Sequence, residues 1–83
     1  MSTTMLDVTL HIDEETTHDE REKLRDVFLS KNGVMTADCR DDRPHLMIVG
    51  FDPEDITSIE LLATAKNGGY HAEIITMLFI SNY

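Results

Sequence analysis

The chain has one cysteine, Cys39, no tryptophan, two prolines and only 7 basic residues against 16 acids. A lone thiol cannot form an internal disulfide, and without a Cys-x-x-Cys pair there is no thiolate set to hold zinc or copper. The formal charge of -9 repels phosphate backbones and anionic lipid, so nucleic acid and membrane surfaces are disfavoured as partners. Aromatic residues make up 6% of the chain, too few for an RNA-stacking sheet, which also needs a basic surround. No apolar run approaches the ~20 residues that a membrane-spanning helix requires; Met77-Leu78-Phe79-Ile80 is typical of the longest. Met1-Ser2-Thr3-Thr4 lacks the basic start and apolar stretch of a secretory leader, which predicts a cytoplasmic protein.

What is present is one domain's worth of well-punctuated pattern. The 83 residues suit a single domain, 1–83, with one core. From Met5 to Ile12, Leu6, Val8, Leu10 and Ile12 alternate with Asp7, Thr9 and His11, the period of a half-buried strand. From His18 to Lys31 the apolar residues Leu24, Val27 and Phe28 fall at helical spacing, and Asn32-Gly33 is expected to stop the helix with a left-handed glycine. Val34 to Arg40 reads as a second strand, irregular near Met35, with Val34, Ala37 and Cys39 inward. Asp41-Asp42-Arg43-Pro44 is a turn, and His45 to Phe51 a third strand pairing with the second. Asp52-Pro53 ends it. Thr57-Ser58-Ile59-Glu60 has capping-box spacing, with Ile56 and Leu61 placed for a hydrophobic staple. This second helix should run to Lys66-Asn67-Gly68. A fourth strand follows from Tyr70 to about Ile80, with Tyr70, Ala72 and Ile74 inward. Strand, helix, strand, strand, helix, strand is the split βαβ arrangement, and the repeated Lys-Asn-Gly at 31–33 and 66–68 suggests two similar halves.

Asn32-Gly33-Val34, Phe51-Asp52-Pro53 and Gly69-Tyr70-His71-Ala72-Glu73-Ile74 resemble the heavy-metal-associated domain family over about residues 5–76. The resemblance implies an α+β, ferredoxin-like βαββαβ fold, a four-stranded antiparallel sheet with two helices on one face. It also implies a Met-x-Cys-x-x-Cys ligand loop between the first strand and first helix. Counting back from Gly33-Val34, those positions hold Glu15, Thr17 and Glu20. Oxygen donors do not favour Cu(I), so soft-metal transfer is not expected.

Two readings of that loop compete. Thr17-His18-Asp19-Glu20 is itself a capping box, with acids complementing the positive end of the helix dipole. Alternatively, Glu15, His18 and Glu20, with Asp13, Glu14 and Asp19 nearby, offer imidazole and carboxylate for a divalent ion. Cys39 reads as an inert core thiol. His11, His45 and His71 read as surface residues, and Met5, Met35, Met47 and Met77 as scattered filling. On the sheet face away from the helices, strand alternation exposes Leu46, Ile48, Ile75, Met77 and Phe79, an apolar set of the kind that marks protein contacts. Enzymatic activity is not expected: no nucleophile–base pair or phosphate-cradling loop is present, and Asp13-Glu14-Glu15 would repel a phosphate. The sequence therefore predicts an interaction module without a cofactor, engaging a protein partner or a second copy. A divalent-metal domain is the alternative.

Overall fold

The computed structural model describes the backbone of residues 3–82 and the side chains of residues 5–78. The elements are β1 (Thr3–Ile12), α1 (His18–Leu29), β2 (Val34–Arg40), β3 (Arg43–Phe51), α2 (Ser58–Asn67) and β4 (Ala72–Asn82). The four strands form one antiparallel sheet in the order β2-β3-β1-β4. This is the expected ferredoxin-like arrangement.

The alternation in β1 decides which face is dry. Val8, Leu10 and Ile12 are buried with Met47, Val49 and Phe51 of β3, Leu24 and Phe28 of α1, and Leu61 and Ala65 of α2. Burying Leu24 and Phe28 contributes about 2–3 kcal/mol each, which a short helix needs because its hydrogen bonds alone barely stabilise it in water. Both helices start as their sequences predict. Glu20 N–H donates to Thr17 Oγ1 at 3.1 Å and Thr17 N–H to Glu20 Oε1 at 2.8 Å; Thr57 and Glu60 repeat the exchange at 3.2 and 3.3 Å. Ile56 and Leu61 are both buried, forming the apolar staple of α2.

The ends differ from expectation. α1 stops at Leu29, with Ser30 as its cap still in a right-handed conformation. Gly33, at φ 96, lies beyond the cap and starts the turn into β2. At the other helix Gly68 is the right-handed cap, and the left-handed residue is Gly69 at φ 95. The two Lys-Asn-Gly triplets thus play different parts, and they give no support to a repeat. β3 begins two residues early, at Arg43, because the β2–β3 hairpin closes tightly with Arg40 opposite Arg43. Pro44 is tolerated at the strand's second position, beside a break in register.

A bulge in β4 has the widest consequence. Thr9 pairs with Thr76 but Leu10 pairs with Ile74, so Ile75 is an extra residue. Directly paired residues share a face, and the alternation of β4 therefore reverses at Ile75.

Candidate functional site

Residues 13–17 carry the chain from the sheet to α1, and the side chains of Thr16 and Thr17 hold that junction. Thr16 and Arg21 occupy the positions that Ile56 and Leu61 occupy around α2. Here the staple is polar. Arg21 Nη1 donates to Thr16 O at 2.5 Å and to Thr16 Oγ1 at 3.3 Å, while Nη2 donates to Asp41 Oδ1 at 2.7 Å. Arg21 is only 6% exposed. His18 Nδ1 lies 2.9 Å from the same Asp41 oxygen, and Thr16 Oγ1 donates to Pro44 O at 3.3 Å. The junction is thereby tied to the β2–β3 turn. His18, and then Arg21, hold the Asp41 carboxyl below its ordinary pKa, and the hydrogen bond to Asp41 raises His18.

This geometry does not assemble Glu15, His18 and Glu20 as a ligand set. Glu20 turns back to the Thr17 amide and His18 turns out to Asp41, while Glu15 is exposed. Among the described residues, the group of metal-ligating side chains that does come together is His11, Asp13 and Glu73.

His71 is a surface residue as expected, whereas His11 and His45 are half-buried. Because β3 and β4 run antiparallel to β1, their starts lie beside its end, and His11, His45 and His71 lie at that end. His11 Nδ1 is 3.1 Å from Asp13 Oδ1. His45 Nδ1 donates to Ile12 O at 2.7 Å, and its ring stacks on His11 with centroids 5.7 Å apart. His71 clasps Glu14 twice, its amide donating to Oε1 at 2.8 Å and Nδ1 lying 2.6 Å from Oε2. Residues separated by tens of positions meet only once the strand order is known, so no local sequence signal marks the gathering.

The Glu14–His71 clasp sets a pH window. Its hydrogen bond raises His71 and lowers Glu14. The His71 contribution is complete below the ordinary imidazole pKa and is lost as pH rises through the raised value. The Glu14 contribution is complete above the ordinary carboxylate pKa and is lost as pH falls through the lowered one. In a histidine-detected NMR titration, His71 is expected to titrate above an ordinary imidazole, and Glu14→Gln should bring its midpoint down. An unchanged midpoint would contradict the clasp.

The open face of the sheet is less continuous than strand alternation predicts. Leu46 and Ile48 pair with His11 and Thr9 on that face, and Ile48 is 38% exposed. The β4 residues do not join them. Ile75 is the bulged residue, 54% exposed, and Met77 pairs with Val8 and so takes the helix-side phase, though at the sheet edge it remains 43% exposed. Leu78, 61% exposed and paired with Asp7, replaces it on the open face. The Phe79 side chain lies outside the described residues. Asp7, Thr9 and His11 of the intervening β1 separate the two apolar groups. Leu46 and Ile48 remain as a compact patch, lining a shallow hollow of about 190 Å³ with Asp38, Arg40 and Arg43.

Cys39 packs against the core half-buried, opposite Met47. Burial pushes its thiol pKa up, and Glu22 adds to the shift. A thiol held protonated is a poor nucleophile and a poor soft-metal ligand.

No protein-family model matches the chain, and no curated protein sequence matches it. Solved structures do. A copper binding domain from HMA7, a P-type ATPase, superposes with a TM-score of 0.79 at 18% identity, over 87% of this chain and 96% of that one. Oxidized MerP from Ralstonia metallidurans CH34 gives 0.74 at 18% identity, over 92% of this chain and 100% of the other. With the same element order, strand pairing and nearly the full length in common, the chain has the fold of the heavy-metal-associated domains.

Proposed function

We propose that this chain is a non-enzymatic interaction domain that keeps the heavy-metal-associated fold and has given up soft-metal transfer. One observation carries the reading: the groups at the ligand positions are hard oxygens, and Thr17 and Glu20 spend theirs on the helix cap. The surface best suited to a partner is the Leu46–Ile48 patch. Arg43 lines it, with Asp38 and with Arg40 already paired to Asp42, which favours an apolar segment carrying a single acid for Arg43. The net charge of the chain opposes a second copy, so light scattering over a concentration series is expected to report a monomer.

The test compares the wild-type chain with Ile48→Asp as bait in extracts of the native host. Ile48 is partly exposed, so the variant should fold, and circular dichroism checks that it does. A partner retained by the wild type and lost with Ile48→Asp supports the reading. Equal recovery with both baits, or a concentration-dependent dimer, argues against it.

A further inference from the structure

We propose that His11, Asp13 and Glu73 form a binding site for a borderline divalent cation such as zinc(II), on the open face of the sheet where β1 ends. The inference is independent of the docking surface and uses none of the residues at the former ligand positions. One ligand atom from each residue lies within 4.8 Å of the other two. His11 Nδ1 and Asp13 Oδ1 are 3.1 Å apart, and neighbouring ligands each held ~2.1 Å from a common ion are separated by roughly 3 to 3.5 Å. Two of the three donors therefore already stand at ligand spacing. Glu73 is exposed, and rotation of its side chain can complete the set.

The backbone fixes this grouping. Glu73 stands directly opposite His11 only because Ile75 bulges; in an unbroken register Ile74 would take that place. Asp13 N–H donates to His71 O at 2.8 Å, which holds Asp13 against the start of β4. The His11 ring is restrained by its stack on His45, itself anchored to Ile12 O.

A second observation points to a ligand. His11 Nδ1 is screened from water and makes no hydrogen bond of acceptable geometry, despite the nearby Asp13 oxygen. Such a nitrogen beside two carboxylates lacks a partner that an ion would supply. One imidazole and two carboxylates suit zinc(II), cobalt(II) or nickel(II) and do not suit Cu(I). An open cleft of about 560 Å³ borders Asp13 and Glu73, with Tyr70, His71 and Lys66 also in its lining. Three protein ligands leave the remaining positions to water.

Calorimetric titration of the full chain with zinc chloride tests the proposal. One equivalent should bind, with affinity lowered at least about tenfold by His11→Gln and by Glu73→Gln. Glu73→Gln alters an exposed side chain, so its fold is retained and circular dichroism verifies this. His18→Ala should keep the wild-type affinity. In nitrogen-15 spectra, the His11 ring should shift on zinc addition while His18 does not. Absence of binding would overturn the proposal and leave His11 and Asp13 as a simple polar pair. Affinity unchanged by both substitutions, or abolished by His18→Ala, would overturn it as well.

Discussion

Gly33→Ala is expected to lower the unfolding free energy by about 2–3 kcal/mol, and Gly69→Ala by only about 1 kcal/mol. Both glycines hold a positive φ, 96 and 95, so a side chain at either costs conformational energy. Their surroundings differ. A Cβ on Gly33 would stand 2.7 Å from Asp55 Cβ and 3.0 Å from Ile56 Cγ2, whereas one on Gly69 meets nothing within 4 Å. Ile56 is buried as the staple of α2, and Gly33 O accepts from Asp52 N–H at 2.8 Å. The turn after α1 is thus pressed against the entry to α2, and the segment has little room to shift. Urea unfolding of the two variants separates the contributions; equal losses would show that the contact with Asp55 and Ile56 is unimportant.

Arg21→Ala is expected to cost about 2–3 kcal/mol. The substitution leaves Thr16 O without its shortest donor and removes a stem that is buried in the wild type. Arg21→Lys should recover less than half of the loss. A single ammonium cannot reproduce the fork that reaches Thr16 and Asp41 together. His18 should still titrate above an ordinary imidazole in both variants, because Asp41 causes that shift. A neutral effect of Arg21→Ala on unfolding would mean that the polar staple does not hold α1 in place.

The fold was legible because its signals are local. Strand alternation in β1, two Thr-x-x-Glu caps and the Ile56–Leu61 staple each act within a few residues, and each appears where the pattern places it. The open face was less legible, since a single bulged residue, Ile75, reversed the phase of everything after it in β4. A bulge exchanges one register for another at little cost in composition, and alternation alone does not reveal it. The loop was half legible. Its capping box could be read from spacing, but Thr16 and Arg21 carry no apolar signal to mark them as a staple. The cluster of His11, Asp13 and Glu73 was hidden for a different reason: the strand order and the bulge together create it.

The junction before α1 is a helix cap, and under the proposed function it does not serve as a soft-metal loop. A competition titration for Cu(I) against bicinchoninate, under reducing and oxygen-free conditions, tests it most directly. An equimolar or moderately excess amount of protein is expected to leave the absorbance of the copper–chelator complex unchanged. Withdrawal of Cu(I) by the wild-type chain at one equivalent would contradict it.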